Sequence, residues 1–203
     1  PSRGLGDVYK RQINNLPEAT ADLQALLEEN SYDDACIYGH ALEGNYHFII
    51  SQSFDTPEQV ARYERLMDEV KSLVVDKYDG SLKAEHGTGR NMAPFVKYEW
   101  GEKAFGYMKA VKELFDPKGL LNPGVIFNDD PRCHLKNFKP MPLTNAHVDR
   151  CIECGFCEVN CLTCGFSLSS RQRIVIRREI SRLSHLADAE SQARMQTLLK
   201  QYK

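Results

Sequence analysis

The 203-residue sequence has no apolar run approaching the roughly 18 residues that cross a bilayer, and its N-terminus lacks the charged-then-apolar layout of a secretory signal. A soluble chain is implied. Charge of one sign is also lacking: the formal net charge is -2, which gives no electrostatic case for nucleic acid or anionic lipid. The strongest basic run, Arg171 to Arg182, alternates with apolar residues and reads as a solvated helix face. Internal repeats are missing, and so is the dispersed cysteine pattern of a disulfide framework. Of seven cysteines, five fall between Cys151 and Cys164, so they read as ligands kept reduced inside a cell, in the cytoplasm or peripheral to the inner face of the membrane. A composition 42% hydrophobic and 27% charged permits a packed core and argues against wholesale disorder.

Residues 1–12, "PSRGLGDVYKRQ", carry no apolar period and are set aside as a non-native leader. "PEATADLQALLEEN", from Pro17, opens with proline and acidic residues and places Leu23, Leu26 and Leu27 on one helical face. Two β-rich runs follow, Ala35–His40 and Tyr46–Gln52, separated by a Gly-Asn turn signal. A second helix begins at the Thr56 cap and spaces Val60, Tyr63, Met67, Val70 and Val74 for packing across a sheet. The glycine-broken "DGSLKAEHGTGRNMAPF" precedes a third helix that stops at Asp116-Pro117. The expectation is an α+β unit over residues 13–128, a mixed sheet covered by helices, then a proline-rich linker over 129–145 and a small, mainly α-helical second domain over 146–203. In the tail, Ser169 or Ser170 caps a helix whose Ile174, Ile176, Ile180 and Leu183 form a stripe expected to pack against the cysteine loop.

The cysteines of "CIECGFCEVNC", Cys151, Cys154, Cys157 and Cys161, have the spacing by which bacterial ferredoxin-type segments hold [4Fe-4S] clusters. In that arrangement three thiolates wrap one cluster and the fourth departs to another. Gly155 lets backbone N–H groups approach the sulfides. Zinc is the alternative, since four cysteines also suit a tetrahedral ion. Leu162 stands where the iron–sulfur pattern has proline, and Cys164 follows, which leaves open whether Cys161 or Cys164 is a ligand.

Upstream, His40 and His47 flank the turn "ALEGNY". If the two runs pair, both imidazoles reach one end of the sheet, either as structural caps or as ligands of a divalent metal. Glu85 offers a carboxylate to the same cation, and His86, facing the other way in extended backbone, is free to act as a base. Gly87 and Gly89 let the backbone come close to a bound ligand, and Arg90 and Lys97 are candidate partners for a substrate carboxylate.

"YGHALEGNYHF", "SLKAEHGTGR" and "DPKGLLNPG", in that order and followed by the cysteine motif, resemble the C-terminal half of the FAD-dependent 2-hydroxyacid dehydrogenases of the vanillyl-alcohol-oxidase type. More specifically, the chain resembles the long bacterial D-lactate or D-2-hydroxyglutarate dehydrogenases that fuse a flavin oxidase to an iron–sulfur domain. The resemblance covers about Asn30 to Leu183. It implies that His40, His47 and Glu85 bind a divalent metal (zinc, manganese or iron), that His86 is the active-site base, and that Asn122 lies close to FAD. It further implies oxidation of a small D-2-hydroxy acid, with electrons leaving through [4Fe-4S] clusters to a quinone or cytochrome, in a longer chain of which these residues are an incomplete part. One departure is visible: where the family often has Asn two positions after the second histidine, this chain has Ile49. The competing readings are an iron–sulfur electron-transfer module with structural histidines, and a zinc-stabilised interaction module.

Overall fold

Proline in the first turn and acidic Glu18 start helix α1, Leu16–Glu29, in the computed structural model, which describes residues 15–85, 87–139 and 141–202. The chain divides into two compact units, the first ending at Phe138 and the second starting at Lys139. The division falls inside the segment expected to be a linker. Its first part packs instead in the first unit, where a short turn, Cys133–Leu135, buries His134 and Leu135, and His134 meets Phe95 edge-on.

Helix α1 buries Leu23 and Leu27, with Leu26 half-buried. It ends at the buried Asn30, whose side chain donates to the Leu26 carbonyl and accepts from Arg65, and Ser31 in the left-handed region then turns the chain. Strands β1, Cys36–His40, and β2, Asn45–Ile49, pair antiparallel with Ile37 opposite Phe48, Tyr38 opposite His47 and His40 opposite Asn45. The two-residue period of a strand sorts these pairs by face. Ile37 and Phe48 pack on the core of Leu23, Leu27, Tyr32, Leu66 and Val70, while Tyr38, His40, Asn45, His47 and Ile49 occupy the other face. Tyr46, on the core side, donates from its hydroxyl to the Leu16 carbonyl and ties the hairpin to α1.

The α+β class is observed, but the sheet is a two-stranded antiparallel pair among the described residues rather than a mixed sheet. A parallel pairing needs a crossover of a dozen or more residues, and the two strands here are joined by four. Helix α2, Pro57–Ser72, begins with a capping box between Thr56 and Gln59 and buries Leu66, Met67 and Val70. Leu66 was outside the expected stripe yet is fully buried, because it lies one turn from Val70 and Tyr63 on the same face. Helix α2 runs on through a wider turn, Leu73–Lys77.

Helix α3, Val96–Phe115, is broken at Gly101, whose φ of 75° no helix accommodates. Its buried Glu99 accepts from the Ser81 hydroxyl and the Leu82 N–H, which anchors the segment leading to Glu85.

In the second unit, an irregular cysteine loop precedes two helices packed on each other, α4, Ser170–Ser184, and α5, Ala189–Gln201. Ser169 is the cap of α4, in a reciprocal box with Gln172. No helix among the described residues is long and apolar enough to cross a membrane.

Candidate functional site

The hairpin decides where the two histidines meet. His47 stands opposite Tyr38, and His40 is two residues further along the same face, so the imidazoles are diagonal neighbours with ring centroids 6.2 Å apart. Gly39 permits this closeness, since a Cβ there would sit 2.2 Å from the Asn45 carbonyl oxygen. Tyr38 stacks on His47 with centroids 5.3 Å apart and limits its rotation.

Glu85 arrives from a segment some forty residues on, turned by Ala84 in the left-handed region. Its Oε1 lies 3.4 Å from His40 Nε2 and 3.4 Å from His47 Nε2. One donor atom from each of the three residues lies within 4.8 Å of the others, the one such group among the described residues. Side-chain exposure grades from 15% at His47 through 38% at Glu85 to 59% at His40, so the set is rooted in the sheet and open on one side. Two imidazole nitrogens and one carboxylate oxygen converging with an open side fit a divalent cation that keeps positions for substrate.

Sequence reasoning missed Asn45. Its Nδ2 donates to Glu85 Oε2 at 3.0 Å, while its Oδ1 accepts from the His40 backbone N–H at 3.3 Å. One amide thus fixes the carboxylate and the turn that carries His40. An Asn after Gly reads in sequence as turn chemistry, which concealed this second part.

His86 lies outside the described residues. Gly87 and Gly89 both have positive φ, 78° and 62°, with open space where a Cβ would stand. The Gly89 carbonyl accepts from the Ile126 N–H, and Arg90 donates to the Pro123 carbonyl at 3.0 Å. The "GTGR" and "LNPG" segments are therefore neighbours. Asn122 is exposed with a φ of 45° at the start of that turn. The turn is held from below by Asp116, whose carboxylate accepts from the N–H groups of Leu120 and Leu121, each at 2.9 Å, and from Lys112. The Lys112 ammonium is the largest influence holding the Asp116 carboxyl down at about 2, followed by these backbone donors. Arg90 thus has one of its donors on the Pro123 carbonyl, and Lys97 pairs with Glu102 at the surface.

In the second unit all five clustered cysteines are free thiols. Successive turns close Gly155 to Glu158, Glu158 to Cys161 and Cys161 to Cys164 by backbone hydrogen bonds. The Glu153 N–H donates to Cys151 Sγ at 3.3 Å, and Gly155 has a φ of 84°. Such N–H to sulfur bonds and a glycine at the turn suit a cluster-binding loop. The Cys161 thiol is brought down to about 7, first by the Thr163 hydroxyl, then by the backbone N–H groups of Thr163 and Ser170 at the start of α4. The basic face of α4 is not simply solvated. Arg178 is buried on the loop, Arg171 pairs with Glu158, and the buried Ser169 hydroxyl also donates to Glu158. Of the expected apolar stripe, Leu183 is fully buried and Ile174, Ile176 and Ile180 are half-buried.

Residues 12–126 match the family described as FAD linked oxidases, C-terminal domain. The chain is 31% identical over 126 residues to the glycolate oxidase subunit GlcD of Bacillus subtilis, covering 62% of this chain and 26% of that protein. It is 33% identical over 126 residues to the D-2-hydroxyglutarate dehydrogenase of Stutzerimonas stutzeri, covering 59% and 27%. Over 114 residues it is 32% identical to the mitochondrial D-lactate dehydrogenase [cytochrome] 1 of Saccharomyces cerevisiae, covering 56% and 18%. The chain thus spans about a quarter or less of the length of these relatives. No solved structure matches it.

Proposed function

Since the chain belongs to the FAD linked oxidases through their C-terminal domain, we propose that it forms the metal-bearing wall of a flavin-dependent D-2-hydroxyacid dehydrogenase. The observation that carries this reading is the convergence of His40, His47 and Glu85 on one point. The names of the relatives, which specify glycolate, D-lactate and D-2-hydroxyglutarate, support a small hydroxy acid as substrate.

His40, His47 and Glu85 would hold a divalent cation, which would supply Lewis-acid polarisation of the oxygens of the acid, and FAD would supply the hydride acceptor. Tyr38 keeps His47 oriented, and Asn45 keeps Glu85 turned toward both imidazoles. Such supporting contacts set the aim of a ligand and its basicity. His86 accepts the hydroxyl proton as general base. Gly87, Gly89 and Asn122 would present backbone to the flavin, on two segments braced together through Arg90 and Pro123. Orientation of the acid against the flavin is the main service of this wall. Cys151, Cys154 and Cys157, with Cys161 or Cys164, would hold [4Fe-4S] chemistry and give the electrons a route to a quinone or cytochrome.

The test is flavin reduction by the complete enzyme, mixed anaerobically with glycolate, D-lactate or D-2-hydroxyglutarate. Bleaching of the flavin band by at least one of them is expected. A flavin that none of the three bleaches, in a protein loaded with metal, contradicts the reading.

A further inference from the structure

We propose that Arg178 is a positioning residue for the iron–sulfur cluster, holding the first ligand turn of the cysteine loop in its binding shape. The proposal rests on the cluster reading of Cys151, Cys154, Cys157 and Cys161. Arg178 projects from the middle of α4 and is 4% exposed, an unusual burial for a guanidinium in a unit of this size. Apart from a contact of Nη1 with Met141 Sδ at 3.4 Å, the bonds of its two terminal nitrogens go to groups flanking the first cysteines. Nη1 donates to Glu153 Oε1 at 2.7 Å, and Nη2 donates to the carbonyls of Cys151 at 2.7 Å and Val148 at 3.2 Å. The other oxygen of the Glu153 carboxylate accepts from the Lys139 ammonium.

Glu153 is the residue whose backbone most needs holding. Its φ is 59°, a left-handed conformation that a glutamate adopts at a cost, and one that needs support from its surroundings. That conformation aims its N–H at Cys151 Sγ. Backbone N–H bonds to ligand sulfur are among the features that set the reduction potential of a cluster. Arg178 grips this residue by its carboxylate and the preceding ligand by its carbonyl, so the guanidinium fixes both ends of the turn. The loop also has a second fastening of the same design, Glu158 to Arg171 and Ser169. The two glutamates of "CIECGFCEVNC" thus tether the loop to α4, while Cys154 and Cys157 stay exposed between them.

Packing alone does not account for Arg178. Its Nε has no partner among the described residues, and buried ion pairs have often been replaced by well-packed apolar side chains of similar volume with no loss of stability. What the arginine adds is direction: three donors fixed in one plane, matched to one carboxylate and two carbonyls.

The experiment uses the complete chain, loaded with iron and sulfide, as wild type, Arg178→Met, Arg178→Lys and Glu153→Gln. Iron and acid-labile sulfide per chain, iron retention against a chelator, the cluster midpoint potential and the thermal midpoint are measured. Arg178→Met should retain iron about 10–100-fold less well and show a shifted potential, the size of effect typical for a partner outside the ligand shell. Arg178→Lys should fall between, because an ammonium reaches Glu153 but cannot also span two carbonyls. Glu153→Gln, which keeps the size of the side chain, should move retention and potential in the same direction even if Arg178→Met does not fold. Variants that lower the thermal midpoint while leaving retention and potential at wild-type values overturn the proposal. A wild type that holds neither iron nor sulfide overturns the cluster reading beneath it, and is told apart because the failure needs no substitution.

Discussion

Replacing Asn45 with Ala should weaken divalent-metal binding about tenfold. Asn45 donates at 3.0 Å to Glu85 Oε2 and so steadies the carboxylate whose Oε1 lies 3.4 Å from both ring nitrogens. A hydrogen bond to a charged group contributes about 1.5–3 kcal/mol. Glu85 is 38% exposed, so water replaces part of the lost donor and the lower end of that range applies. About 1.4 kcal/mol is a tenfold change in an equilibrium constant, which also agrees with the usual loss when a partner behind a metal ligand is removed. The assay is competition between the metal-free complete enzyme and a chromogenic chelator for zinc, manganese or iron(II). Unchanged affinity in Asn45→Ala, alongside lost binding in His47→Ala, would refute the argument that Asn45 aims the carboxylate.

Three further outcomes are expected. His86→Ala in the complete enzyme should slow flavin reduction by about 10²–10⁴-fold, the usual contribution of a general base, and stopped-flow mixing with substrate checks it. Leu66→Ala should destabilise the first unit by about 2–5 kcal/mol in denaturant titration, because the side chain is wholly enclosed by α1, the hairpin and α2. Asp116 has a folded pKa of about 2, below its ordinary value of 3.8, so its stabilisation is complete above the higher value and is lost as pH falls through about 2. The stability gap between wild type and Asp116→Asn should therefore be constant near neutrality and close in that acid window; a gap that widens on acidification contradicts the assignment.

The parts of this protein that were legible in its sequence are those in which one period or one spacing decides the structure. Leu23 and Leu27 repeat at four residues and are buried in a helix; Ile37 and Phe48 fall on the core side of two short β-rich runs. The hairpin brought the histidines to one face because its linking turn is short, and Glu85 came to the same place. Other features depended on where a side chain goes in three dimensions. Asn45 and Arg178 occur where each residue has a commonplace local explanation, a turn former and a charged helix face, and only the tertiary contacts reveal their partners. The parallel strand that a mixed sheet requires is not found among the described residues, where a short link leaves the two strands antiparallel. The break of α3 at Gly101 was hidden because the residues on either side are good helix formers.

We propose His40, His47 and Glu85 as ligands of one divalent cation serving a flavin-linked oxidation. The most direct test is the non-cluster metal content of the complete enzyme, measured beside that of a His40→Ala, His47→Ala double variant. About one equivalent of metal in the wild type, absent from the variant together with substrate-driven flavin reduction, is the predicted result. Equal metal content in both proteins, with flavin reduction intact, would contradict it.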